Sequence, residues 1–257
     1  MKGIGFARAR DAEELEGYGA PHCLLHGGGR SSMVSFDGFP LWAVRAELSP
    51  GAVLEWDGPH GDEALYVVSG DLDVDGRSCP PGGVVVVESG ARTTVEVPRG
   101  ARVVHFGPDD TAPPSGGHYG APAPLPHGVH VIGPRGMFAA VGPGRDTRMF
   151  ADSTCQTCRI TFFITGRDSE YFSSPHSHSV DEILYLTSGR IRFGSRELRP
   201  GDAVCIQGDR RYAFRSGPEG FAFLNYRRDA SKQTIVGDIP RLEGGLARGL
   251  TPVFDER

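Results

Sequence analysis

The sequence predicts an all-β chain made of two similar domains in tandem, and three observations carry this. First, β-like runs alternate with turns over most of the length. The chain holds 37 Gly and 20 Pro in 257 residues, which suits many short strands joined by turns. Second, one block recurs. Glu63-Ala64-Leu65-Tyr66-Val67-Val68-Ser69-Gly70 matches Glu182-Ile183-Leu184-Tyr185-Leu186-Thr187-Ser188-Gly189, and Pro81-Gly82-Gly83 matches Pro200-Gly201-Asp202. Both matches stand at one offset, 119 residues in the numbering, and a fixed offset across two motifs is the mark of internal duplication. Third, residues 107–126 are rich in Pro, Gly and Ser and read as a linker between the copies.

In chain order, residues 1–35 read as an approach segment, with a short helix expected at 11–15 and a Gly-rich loop at 22–30. The first β-domain spans 36–110, with strand-like runs at 40–48, 64–68, 84–88, 93–97 and 102–106. A linker and bridging strand follow at 111–139. The second β-domain spans 140–228, with runs at 159–165, 183–186, 191–193, 203–206, 212–215 and 221–226. The tail, 229–257, is polar, with a short helix expected at 242–250.

Composition bounds the function. The formal charge is −5, with 32 acidic against 27 basic residues, which argues against nucleic acid as a partner. No apolar run reaches the length of a membrane span, and the first residues lack the apolar core of a signal peptide. A cytoplasmic location is therefore expected. Five cysteines form an odd set that does not suggest a disulfide scaffold.

The chemistry concentrates at His176-x-His178-x-x-x-Glu182. These three residues share parity, so one continuous strand aims two imidazoles and a carboxylate to the same side. That set suits a divalent first-row metal with open positions. His176-x-His178-x-x-x-Glu182 with Gly189, followed by Pro200-Gly201-Asp202 before another strand, resembles the two signature motifs of the cupin superfamily. Two copies resemble a bicupin.

The resemblance implies two tandem double-stranded β-helix (jelly-roll) barrels, with the metal inside the second. It implies Fe(II) first, with Mn, Ni or Zn as other choices, and a dioxygenase-type oxidoreductase that admits O2 and a small-molecule substrate. An O2-independent lyase, decarboxylase, isomerase or hydrolase is the alternative, and a non-catalytic small-molecule binder the third reading. A homodimer is the family-level expectation. The family's fourth ligand, a histidine, falls here on Tyr212. Tyr212 is read as a metal ligand, as an acid or base beside the metal, or as a core aromatic. In the first copy Asp57 and Pro59 stand where the histidines would, opposite Glu63, and His60 is out of phase. That barrel is expected to be metal-free.

Other candidates are secondary. Arg210 and Arg211, just before Tyr212, are candidates for gripping a substrate carboxylate. Arg159, Asn225 and Arg227 lie on second-barrel strands with their facing open. Cys155-x-x-Cys158 is a lone Cys-x-x-Cys without a partner pair. Cys205 is read as core, and Cys23 and Cys79 as loop residues. His118, His127 and His130 cluster near the linker in no simple ligand spacing, and Asp181 is read as solvent-facing or a turn partner.

Overall fold

The structure is a computed structural model that describes residues 3–111, 128–153 and 157–235, with the backbone of Thr251–Pro252. Among these residues the chain is almost entirely β, with one short 3-10 turn at Ala9–Asp11. The sequence marks a helix at 11–15, but Ala12 is extended (φ −75°, ψ 130°) and a strand follows at Glu14–Glu16. His118, His127, Cys155 and segment 242–250 lie outside the described residues.

The duplication is visible strand by strand. The pair Glu63–Gly70 and Val84–Val87 in the first barrel has its counterpart in Glu182–Phe193 and Ala203–Ile206. Both copies pair antiparallel in the same register: Glu63 faces Val87, and Glu182 faces Ile206. Gly70 and Gly189 explain why each hairpin keeps its glycine. Their φ values are +76° and +68°, and a Cβ on either would meet a backbone carbonyl oxygen (Gly100, Gly220) at 2.1 Å.

Strand parity builds three cores. Trp42, Val44, Leu65, Val67, Val85 and Val87 fill the first barrel. Their neighbours of opposite parity, Leu41, Ala43, Ala64, Val84 and Val86, pack instead against Phe150, Phe162, Ile183, Tyr185, Cys205 and Tyr226 of the second barrel. A strand such as Val84–Val87 is thus buried on both faces, which explains its unbroken apolar text. Leu184, Leu186, Val204, Ile206, Tyr212, Phe214 and Phe223 form the interior core of the second barrel. Each fully buried side chain of this size contributes roughly 1.5–3 kcal/mol.

The two barrels also exchange strands. Ile4–Ala7, at the N-terminal end, pairs with Ala203–Ile206 of the second barrel, while Val129–Ile132 pairs with Val84–Val87 of the first. Gly29–Val34 pairs with Leu41–Leu48 and so belongs to the first barrel's sheet. Asp202 of the Pro-Gly-Asp turn anchors the N-terminal exchange. Its carboxylate accepts from the backbone N–H of Ala9 (2.9 Å) and Arg199 (2.9 Å) and from the Arg8 guanidinium (2.8 Å). No helix among the described residues is long and apolar enough to cross a membrane.

Candidate active site in the second barrel

The strand Phe172–His178 carries both histidines into the second barrel, and Glu182 opens the next strand. His176, His178, Glu182 and Tyr212 are all buried. The continuous strand expected through 176–182 is broken at 179–181, so parity places only the two histidines on one side, and Glu182 and Tyr212 come from separate strands. Register then brings in two residues that the motif does not contain. Glu182 lies opposite Arg227, and Leu184 opposite Asn225, on the long strand Tyr212–Arg227.

Every oxygen of Glu182 is occupied. Tyr212 Oη donates to Oε1 (2.6 Å). Asn225 Nδ2 (2.8 Å) and Arg227 Nε and Nη2 (3.1 and 3.0 Å) donate to Oε2. Arg227 Nη2 also lies 3.0 Å from His178 Nε2. Since a guanidinium only donates, that nitrogen is the acceptor. His178 Nδ1 is then the protonated nitrogen and reaches Ser231 Oγ at 3.2 Å. His176 Nδ1 donates to the Ser174 carbonyl (2.7 Å), which leaves the Nε2 lone pair as the acceptor of that ring.

The electrostatics follow. Burial, helped by Arg227 and His176 against the pull of Glu182, drives His178 down to about 3. Burial also lowers His176. Both rings are therefore neutral near pH 7. Burial alone would raise Glu182, but Arg227, His178 and the Tyr212 and Asn225 hydrogen bonds reverse this and hold it at about 2. Burial and the neighbouring Glu182 charge push the Tyr212 phenol well above its usual range. Tyr212 keeps its proton and donates a hydrogen bond to Glu182.

The donor set His176, His178 and Glu182 has the right chemistry for a metal, but as arranged it does not fit one. The lone pairs a metal needs on His178 Nε2 and Glu182 Oε2 are already held by the Arg227 cation. These three residues do not bring ligand atoms within 4.8 Å of one another; among the described residues, the group that does so is Glu88, His130 and Cys158. A metal in this barrel would first have to displace Arg227.

A cavity of about 500 Å³ opens onto this network. Arg145, Arg167 and Arg227 line it, with His176, His178 and Tyr212, and among the described residues no carboxylate does. Phe163, Tyr171, Phe214 and Phe223 supply an apolar wall. Arg145 and Arg167 are cross-strand partners. Arg167 Nη1 donates to Thr165 Oγ1 (2.7 Å), Thr147 Oγ1 (3.1 Å) and the Gly166 carbonyl (2.7 Å), and Tyr171 stacks at 5.2 Å. Burial depresses the Arg167 guanidinium; Tyr171 opposes this, and the like charge of Arg145 adds to it. Arg145 Nε is buried without a hydrogen-bond partner.

Arg210 and Arg211, the arginines expected to grip a carboxylate, are exposed and lie outside the cavity lining. Their turn precedes the strand, so they point to solvent while Tyr212 turns inward. Arg159 is engaged by Asp229 (2.7 Å). Asp181 is a turn partner, accepting from Gly208 N (2.7 Å). Arg145 and Arg167 were missed. Their signal is parity: each shares a face with Thr147 and Thr165, polar residues placed on the inward side.

Among the described residues, the interior of the first barrel is filled by side chains. Glu63 takes a hydrogen bond from Trp56 Nε1 (2.7 Å) and has His105 Nε2 at 2.8 Å, with Tyr18 Oη on His105 Nδ1 (2.8 Å). Trp42 and Trp56 pack on His105 and fill the space. His60 is fully buried, with both ring nitrogens on backbone carbonyls (2.7 and 2.9 Å). Asp57 is exposed. Cys205 is core as expected, but Cys23 and Cys79 are buried as well.

No protein-family model matches the chain, and no curated protein matches it. Solved structures do. A Glu-to-Ala mutant of Bacillus subtilis oxalate decarboxylase aligns at 16% identity with a TM-score of 0.66, covering 90% of this chain and 79% of that one. Oxalate decarboxylase from the same organism at pH 4.6 aligns at 18% and 0.64, covering 90% and 78%. A third, studied for its Mn(II) centres, aligns at 17% and 0.64, covering 90% and 79%. The likeness shows the fold, two tandem jelly-roll barrels of the bicupin type.

Proposed function

We propose that this bicupin is an enzyme that binds a small organic carboxylate in the second barrel and moves a proton on it without O2. The observation that carries this is the cavity lining: among the described residues it holds three arginines, neutral histidines and no carboxylate. Such a lining favours an anion. Arg145 and Arg167, cross-strand neighbours, are the pair offered to its carboxylate, and the aromatic wall to its carbon skeleton.

His176 is the general base. Its Nδ1–H is fixed on Ser174, so Nε2 takes a proton from the carbon beside the carboxylate. The electron pair left behind moves onto the adjacent carboxyl or carbonyl oxygen, where the Arg227 guanidinium faces the developing charge. Either a leaving group then departs from the next carbon, or the proton returns at a different carbon. These are lyase and isomerase outcomes. Glu182 holds Arg227, and Asn225 and Tyr212 hold Glu182; the three are positioning residues. The Fe(II) dioxygenase reading is set aside because Arg227 holds the lone pairs that it requires.

Deuterium wash-in tests the reading. Candidate carboxylates incubated with the protein in D2O under nitrogen should exchange the proton beside the carboxylate, and His176→Asn should slow this by about 100-fold or more. Turnover that stops under nitrogen and consumes O2 in air would return the dioxygenase reading.

A further inference from the structure

A second constellation lies outside the cavity. Glu88 follows the Val84–Val87 strand of the first barrel, His130 sits in the Val129–Ile132 strand that returns from the linker, and Cys158 precedes the Thr161–Arg167 strand of the second barrel. A carboxylate oxygen, an imidazole nitrogen and a thiol sulfur from these residues all lie within 4.8 Å of one another.

The three are held in place. Glu88 N donates to the Gly128 carbonyl (3.0 Å), Gly128 N donates to Glu88 Oε2 (2.8 Å), and His130 lies in register with Val86. Asp62, 3% exposed, takes the backbone N–H of Ser89 on Oδ1 (2.6 Å) and of Arg159 on Oδ2 (3.0 Å). Those amides belong to the residues directly after Glu88 and Cys158. One buried carboxylate therefore ties both ligand-bearing turns, one from each barrel. Support of this kind is what a built site needs.

We propose that Glu88, His130 and Cys158 bind a divalent ion of the zinc class, which staples the first barrel, the returning strand and the second barrel together. One thiolate, one imidazole and one carboxylate form a set that Zn2+ accepts, whereas Mg2+ and Ca2+ demand oxygen ligands. At bond lengths of about 2.0–2.3 Å, tetrahedral ligand atoms sit about 3.3–3.8 Å apart. Side-chain rotation closes the present separation. Binding releases the Cys158 thiol proton to solvent and replaces the 2.6 Å contact between His130 Nε2 and Glu88 Oε1 by two bonds to the ion. The His130 side chain is 45% exposed, so the ion and one water have an entry path, while Glu88 and Cys158 are buried. The role is structural: none of the three lines the second-barrel cavity. The proposal does not depend on the reaction assigned there.

The test uses full-length protein carrying His176→Ala and His178→Ala, so that the second-barrel histidines cannot contribute. Protein purified without chelator is assayed for metal by elemental analysis and titrated with Co2+. The expected result is one Zn2+ per chain and, with Co2+, a thiolate-to-metal charge-transfer band. Adding Cys158→Ser should abolish the band, and adding His130→Ala should release the ion. In the wild-type chain, chelator should lower the thermal midpoint, and in Cys158→Ser it should not. A parent protein that binds no stoichiometric Zn2+ and gives no thiolate band overturns the proposal. So does a band that survives Cys158→Ser.

Discussion

The guanidinium of Arg227 lies 3.0 Å from His178 Nε2 and also holds Glu182 Oε2. One side chain thus supplies, as a fixed cation, the charge that the His-x-His-x-x-x-Glu pattern would otherwise take from a metal. Breaking a buried pair of this kind leaves an uncompensated charge and costs about 3–5 kcal/mol. Arg227→Met is expected to lower the thermal midpoint by several degrees, which a melting curve in metal-free buffer will show.

Arg145 and Arg167 meet across one strand pair, and no carboxylate among the described residues lines their cavity. Removing either charge-assisted contact costs about 1.5–3 kcal/mol, or ten- to hundredfold in affinity. Titration calorimetry with a panel of short mono- and dicarboxylates should show this loss in Arg167→Met and Arg145→Met. Arg210→Met and Arg211→Met, on the exposed turn, should bind as the wild type does.

Acid should destabilise the fold from near neutrality downward. His178 is held at about 3 against 6.5 in the unfolded chain, and Glu182 at about 2 against 4.5. Both shifts are downward, so the stability they contribute is complete above pH 6.5. It falls as the unfolded state takes up protons that the folded state refuses, first through histidine and then, below 4.5, through the carboxylate. Denaturant titrations across pH 7 to 3 should show a steady loss of several kcal/mol. A flat profile over that range contradicts the burial of these groups.

Gly70 and Gly189 sit at equivalent hairpins with positive φ and a backbone oxygen 2.1 Å from any added Cβ. Gly70→Ala and Gly189→Ala should each cost more than the ~1 kcal/mol of ordinary backbone strain, because the facing strand must move. Urea midpoints will report it. The exposed turn glycine Gly76 also has a positive φ but meets nothing within 4 Å. Gly76→Ala should cost about 1 kcal/mol.

Much of the fold was legible because it is local or repeated. The Glu-to-Gly hairpins, the Pro-Gly turns and their single offset all show in the text. The strand exchange of Ile4–Ala7 was not, since four residues of weak pattern carry no sign of a partner some 200 positions away. At the candidate site, parity on one continuous strand was the reason to group His176, His178 and Glu182, and the cupin resemblance added Tyr212. The chain instead leaves the strand at 179–181, and the four side chains meet from three strands. Arg227 was named as a second-barrel strand residue, but its role depends on the register that sets it opposite Glu182. Arg145 and Arg167 were hidden for the same reason: inward-facing arginines look like surface arginines until the barrel closes around them. Glu88, His130 and Cys158 come from three separate parts of the chain, and no spacing rule links them.

The most direct measurement of the central claim is a metal titration of Arg227→Met and Arg227 protein, both carrying Cys158→Ser so that only the second barrel is read. If Arg227 takes the metal's place, the Arg227 chain binds no stoichiometric Mn2+, Fe2+ or Zn2+. The methionine variant then gains one ion per chain, lost again with His176→Ala, and the ion restores its thermal midpoint. Stoichiometric, His176-dependent metal in the chain that retains Arg227 would contradict the account.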